Sequence, residues 1–312
     1  MPSVRVRALA KINLDLRILQ KRTDGYHDLR TIFQTVSLAD TIDISYRPGR
    51  TKIEIQSDLS IANNLIEKAA DSILEATRST GRVGFVLSKR IPLGGGLGGG
   101  SSDAAAVLLA LPLLLKKNIP ASTLTDIASH LGSDVPFFLL GGTAVGLGRG
   151  TELYPLPDLP SLPALLVTPG LHVSTPDAYR ALNRATASGE SSTAEFQQLT
   201  WTIGQNWSVQ NDFEKVVFAQ HPQLKSIKGK LLKLGASPAL MSGSGSTIFG
   251  IFPNRRLRDA AARWFHQEFG SDKIHPVTLI SRSRYRALWR RQIEIPLKRK
   301  VWLWQPQDRY AE

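Results

Sequence analysis

Pro92-Leu93-Gly94-Gly95-Gly96-Leu97-Gly98-Gly99-Gly100-Ser101-Ser102-Asp103-Ala104-Ala105 places six glycines in the seven positions from 94 to 100. With 25 glycines in 312 residues, a window of seven should hold less than one, so this run answers a demand of the backbone. Before it, Val83, Phe85 and Leu87 alternate as a strand does; after it, the apolar run Ala104 to Leu115 reads as a buried helix. That run stops at Lys116 and Lys117, well short of the roughly 20 apolar residues that cross a bilayer. Strand, glycine loop, helix is the order that matters. Without Cβ atoms the loop can turn its N–H groups inward and approach a ligand closely, and the following helix, predicted to start at Ser101 to Asp103, aims its positive end at the same point. Such a constellation suits a phosphate group. A flexible linker is the plain alternative, and a linker does not belong between a strand and a strongly apolar helix.

The type of phosphate loop can be narrowed. No Gly-Lys-Ser/Thr follows, which excludes a Walker A loop; G-x-G-x-x-G does match at Gly94, Gly96 and Gly99, but the string alone is weak. A dinucleotide fold wants an acidic residue about 20 positions on, where Ile119 stands, and the H-R-D and D-F-G motifs of protein kinases are absent.

Outward from the loop, the N-terminal part is strand-rich. Val4, Val6 and Ala8, then Ile12, Leu14 and Leu16, alternate with polar residues that include Lys11 and Asn13 on one face. Thr23-Asp24-Gly25 makes a turn leading to Tyr26 and His27, and Ile32 to Val36, Thr41 to Ser45 and Lys52 to Gln56 continue the alternation. Asn63 and Asn64 precede a helical pattern ending near Ser79 to Gly81, with asparagine as cap. A second helix fits Leu124 to Leu131, and the proline-rich stretch Tyr154 to Pro163 reads as a linker. Beyond it a strand at Ala164 to Thr168, helices around Ala178, Phe213 and Leu224 to Leu234, a strand at Ile248 to Phe252 and a helix at Asp259 to Phe269 complete an α+β pattern. The expected partition is 1–158, 159–285 and a basic extension over 286–312.

Length favours two packed units, and 42% apolar against 21% charged residues excludes a mainly disordered chain. Zero cysteines exclude a disulfide scaffold, a thiolate zinc site and a cysteine nucleophile, and no apolar signal segment is present, which leads to the expectation of a cytoplasmic protein with no membrane partner. The net charge of +13 alone would suggest nucleic acid, but Ser281 to Glu312 supplies +6 of it, with nine Lys/Arg and three acids. A salt-sensitive RNA-binding protein is the rival from another class, and it is not the expected one. Six histidines show no close pairing, so no metal ligands are assigned. A monomer and a homodimer are equally compatible with the sequence.

The glycine stretch resembles the nucleotide loop of the GHMP small-molecule kinases, in its long, glycine-doubled form. Four further segments match in the family's order: Ala10-Lys11-Ile12-Asn13-Leu14, Asp24-Gly25-Tyr26-His27, Gly132-Ser133-Asp134-Val135-Pro136-Phe137-Phe138 and Met241-Ser242-Gly243-Ser244-Gly245-Ser246. The resemblance covers about residues 4 to 280 and assigns nothing to the tail. It implies an N-terminal nucleotide domain like domain 2 of ribosomal protein S5, a ferredoxin-like C-terminal domain, and catalysis in the cleft between them. The implied reaction is phosphorylation of an alcohol by ATP with Mg²⁺, the substrate being a cytidine diphosphate-linked methylerythritol; homoserine or mevalonate kinase activity is the alternative within the family.

The same resemblance makes Asp134 the catalytic base. By residue type it is equally a turn or helix cap, and its neighbours suggest a desolvating apolar wall. Lys11, otherwise an exposed strand lysine, becomes the cation that orients Asp134 and stabilises the alkoxide. Pro92 through Ser101 and Ser102 become the ATP site, the two hydroxyls serving as donors or as a magnesium ligand, with Asn64 either holding adenine or capping a helix. Asn13 becomes a substrate contact, Tyr26 and His27 hold the cytidine, Tyr179 supplies a second ring, and Gly148, with Gly150 across Arg149, admits the diphosphate or simply forms a hairpin.

Overall fold

The computed structural model describes residues 2–21, 27–59, 61, 63–185 and 209–301. Two long strands organise the first half. β1 (Ser3–Lys21) and β2 (His27–Pro48) pair antiparallel along their whole length, so the separate segments read at Ile32 and Thr41 belong to one strand of 22 residues. The other edge of β2 is shared by two partners. β4 (Gly81–Ser88) pairs with its outer part and β5 (Thr143–Gly148) with its inner part, while β3 (Lys52–Ser57) and β6 (Glu152–Pro155) extend the sheet on either side. One face of this six-stranded sheet is covered by α1 (Leu65–Ala76), α2 (Gly99–Leu114), α3 (Ala121–Leu131) and α4 (Val135–Leu140). Asn64 caps α1 by accepting from the Ile66 N–H, worth about 1 kcal/mol. That helix closes at Ala76, earlier than its periodicity suggests, because Arg78 adopts a left-handed φ of 47°.

α2 is apolar all round and buried from Ser102 to Leu114, which is why it lies beneath the sheet and not on the surface. It begins at Gly99, two residues before the predicted start, since Gly98 at φ 68° turns the chain straight into the helix.

The second half is a four-stranded antiparallel sheet in the order β10 (Ile274–Thr278), β7 (Pro163–Val167), β9 (Ile248–Ile251), β8 (Ala239–Met241). Around it pack α5 (Thr175–Ala185), α6 (Phe213–Gln220), α7 (Pro222–Lys233) and α8 (Arg255–Phe269). The two sheets share a core: Ala10, Ile12 and Leu14 of β1 bury against Leu166 of β7 and Phe249 and Ile251 of β9, with Leu97 of the glycine loop among them.

The segment predicted as a basic extension does not stand apart as far as residue 301. α9 (Arg282–Trp289) and a turn of π-helix over Arg290–Glu294 return to the first core, where Tyr285, Trp289, Ile293 and Val301 are buried with α4. Among the described residues no helix is long and apolar enough to cross a membrane.

Candidate active site

A cavity of about 720 Å³ opens between the two sheets, walled by β1, β2, the glycine loop, the start of α4, α5 and the Gly243-Ser244 turn. Its polar floor is laid by β1. Lys11 and Asn13 alternate onto one face, and Lys11, far from being solvent-exposed, is 3% exposed. Its ammonium donates to Asn13 Oδ1 at 2.7 Å and stands 3.2 Å from Asp134 Oδ2, with the Phe33 ring 5.5 Å away. Asn13 in turn donates its amide to Thr31 Oγ1 at 2.7 Å, so the lysine's acceptor is itself fixed. Asp134 immediately precedes α4 but makes no capping bond, which removes the helix-cap alternative. Its side chain is about one-third exposed to the cavity, so the expected desolvation is not what distinguishes it; the neighbouring ammonium is.

The glycine loop divides the residues assigned to it between two spaces. Gly96, Gly98 and Ser101 face the large cavity, while Pro92, Leu93 and Gly95 line a second cavity of about 370 Å³ with Leu59, Arg90 and His172. Leu97 is buried between the sheets, Gly94 lies near His172, Gly99 packs on Ile91 and Gly100 faces Leu65. The need for glycine is sharpest at Gly96. With φ at 75°, a Cβ there would stand 2.1 Å from the Ser242 carbonyl oxygen. The serine-glycine turn is therefore seated directly on the loop. Ser242 donates its hydroxyl to Gly96 O at 2.9 Å, Asn211 donates to the Met241 and Gly243 carbonyls, and Glu214 accepts from the Met241 N–H.

Behind the loop sits a buried charge cluster that sequence reading did not anticipate. Lys89 donates to Asp40 and, at 2.8 Å, to Asp103, and Asp40 also accepts the Arg90 and Ile91 N–H groups at the loop's entry. Burial pushes the Asp103 carboxyl up to about 7 against the pull of Lys89, with the Asp40 carboxylate adding to the rise.

At the far end of the cavity His27 and Tyr179 stack at 4.9 Å and 18°, and Tyr179 meets the edge of Phe213 at 4.8 Å. Tyr179 stays a neutral phenol: burial first, and Asp134 second, raise its pKa to about 12. Tyr26 lies outside the described residues.

Three of the assigned residues have structural partners of their own. Ser102 is buried; its hydroxyl donates to Leu9 O at 2.7 Å and ties α2 to β1, its N–H makes the first bond of the helix to Gly98 O, and only Ser101 lines the cavity. Asn64 is the α1 cap described above. Gly148 ends β5 with φ 64°, opposite Leu29, as a hairpin position, and it is Arg149 and Gly150 that line the cavity. Sequence reading missed Thr31 and Phe33, although their alternation with His27 and Leu29 along β2 was the available signal. It also missed Thr175 and Phe213, which only tertiary packing brings here.

The chain is similar to known proteins. The family model described as GHMP kinases N terminal domain matches residues 64–142, and that described as GHMP kinases C terminal matches 199–271. A 4-diphosphocytidyl-2-C-methyl-D-erythritol kinase of Solibacter usitatus is 53% identical over 304 residues, 95% of this chain and 95% of its own. One from Thermus thermophilus is 41% identical over 82% of this chain and 92% of its own. A crystal structure of a 4-(cytidine 5'-diphospho)-2C-methyl-D-erythritol kinase, 38% identical, superposes with a TM-score of 0.75 over 88% of this chain and 98% of that one. A homoserine kinase from Cytophaga hutchinsonii, at 20% identity, shares the fold with a TM-score of 0.66 over 90% of this chain and 95% of its own.

Proposed function

Because the chain belongs to the GHMP kinases, and within them to the 4-diphosphocytidyl-2-C-methyl-D-erythritol kinases, we propose that its cavity transfers the γ-phosphoryl group of ATP to the 2-hydroxyl of that substrate. The product is the 2-phosphate, on the non-mevalonate route to isoprenoid precursors. One observation carries the reading: the Lys11–Asp134 pair, Gly96 and Gly98 of the loop and the His27–Tyr179 stack all line one cavity.

The chemistry follows from where these groups stand. Phosphoryl transfer to an alcohol needs the phosphoryl group held in line, its equatorial charge stabilised and the hydroxyl proton removed. The loop and the first turn of α2, whose N–H groups have no acceptor within the helix, hold the ATP phosphates. Asp134 accepts the proton as the oxygen–phosphorus bond forms and the bond to the ADP oxygen breaks. Lys11, at 3.2 Å from that carboxylate, orients the base and stabilises the developing alkoxide, while Asn13 fixes the ammonium. His27 and Tyr179 take the cytosine, and Arg149 beside Gly150 faces the diphosphate.

Among the described residues no three acidic or histidine side chains gather to hold a metal. The Ser101 side chain, which lines the cavity, would offer its hydroxyl to a nucleotide-bound Mg²⁺, and the ion would supply neutralisation of phosphate charge. The second cavity, between Pro92 and Leu93 on one side and His172 on the other, takes the nucleoside end of ATP.

A coupled ADP-release assay tests the whole reading. Turnover with the cytidyl substrate, and little with homoserine or mevalonate, is the expected result; comparable turnover of homoserine would reassign the substrate while leaving the kinase.

A further inference from the structure

The segment after Ser281 lies beyond the family-model match, which ends at residue 271, and the reaction above assigns it no part. Its contacts converge on one short helix. Tyr285 of α9 is 1% exposed and donates its hydroxyl to the Phe138 carbonyl at 2.5 Å. Phe138 belongs to the last turn of α4, where carbonyls have no partner within the helix, so this bond closes the end of α4 that lies opposite Asp134.

The chain around α4 is shaped to admit α9. A Cβ on Gly141, at φ 69°, would stand 2.2 Å from the Tyr285 ring, and one on Gly142, at φ 75°, would stand 2.6 Å from Arg282. Arg282 adds a bond to Thr143 O at 2.5 Å. α4 itself touches the chemistry twice. Asp134 immediately precedes its first residue, and the Phe138 ring forms the wall of Gly98, 2.9 Å from where a Cβ would sit. A shift of α4 would therefore move the base and one side of the nucleotide loop together.

We infer that Tyr285 is a positioning residue for the reaction: its bond to Phe138 fixes α4, and through α4 sets the reach of Asp134 to Lys11 and the wall behind Gly98. The inference rests on the phosphoryl-transfer reading. Burial raises the Tyr285 pKa above its ordinary value, so the phenol remains a donor across the working range.

Tyr285→Phe deletes the hydroxyl and keeps the ring. Since a displacement of about 1 Å in a reacting group can cost on the order of a hundredfold, a partial release of α4 should lower kcat by roughly tenfold while the KM values for ATP and the cytidyl substrate stay within about twofold. Gly141→Ala breaks the same seat from the other side and should show the same split. Ile293→Val, buried in the same segment, serves as the stability control: it should lower Tm and leave kcat intact when all are assayed well below their Tm. Wild-type kcat in Tyr285→Phe, or an equal loss in Ile293→Val, would overturn the inference. An unmodified chain that releases no ADP with the cytidyl substrate would instead overturn the reaction itself.

Discussion

The ammonium of Lys11 has three neighbours and one purpose for each: Asn13 aims it, Phe33 shields it and Asp134 shares its charge. Groups that act as a unit give non-additive losses. Asp134→Asn and Lys11→Met should each lower kcat by a factor of order 10²–10⁴ with ATP affinity retained, and the double variant should be little worse than either. Strict additivity in steady-state kinetics would separate the two residues. His27→Ala removes one ring of the stack and a polar edge; the KM for the cytidyl substrate should rise by about one to two powers of ten while that for ATP holds. Equal rises in both constants would make His27 a fold residue. Asp103 makes a different claim. Its proton is kept up to about pH 7 in the folded chain but is lost near 3.8 on unfolding. The folded state thus binds the extra proton, and stability falls as pH rises from about 4 to 7. Asp103→Asn keeps an acceptor for Lys89 and cannot titrate, so the Tm of wild type relative to this variant should decline from pH 5 to 8 in a calorimetric series. A flat difference would place the titration elsewhere.

At the scale of elements, the loop 94–100 and the turn 241–246 are one device made from two distant parts of the chain. Gly96→Ala would force a methyl into the Ser242 carbonyl at a left-handed φ, costing on the order of 2–4 kcal/mol and loosening the nucleotide seat at the same time. Thermal melts and nucleotide titrations should both register it, and a variant with unchanged Tm would show that the turn can back away. The loop, the strand before it and the helix after it were legible because six glycines against a strongly apolar helix leave few alternatives. The position of Lys11 was legible only in part. Alternation put it with Asn13, but its burial comes from Phe33, Gly98 and Asp134, brought together by tertiary packing that no local pattern encodes. Ser102 misled for a related reason: adjacency to Ser101 says nothing about direction, and one step along a helix turns a side chain by about 100°, here from the cavity to Leu9. Asp40 and Lys89 are 49 residues apart and carry no motif, so the charge cluster was invisible before the sheet was known.

Over the whole molecule, the division near Pro160 separates two sheets in sequence but not in packing. β1 and the glycine loop bury against β7 and β9, and α9 returns from the C-terminal side to the first core. Heat or denaturant should therefore remove both sheets in a single transition, with near-ultraviolet and far-ultraviolet dichroism coinciding; two resolved transitions would mean that the shared cores add little. The return of Tyr285, Trp289, Ile293 and Val301 also has a meaning in time. A chain leaves the ribosome N-terminus first at about 5–20 residues per second, so α4 waits on the order of ten seconds after its own synthesis for the helix that covers it. During that interval Phe137 and Phe138 have their first sheet but not their final neighbours, and the nascent protein is exposed at the place where its catalytic base will be set. A segment translated long after the first half completes the part of the enzyme that the first half began.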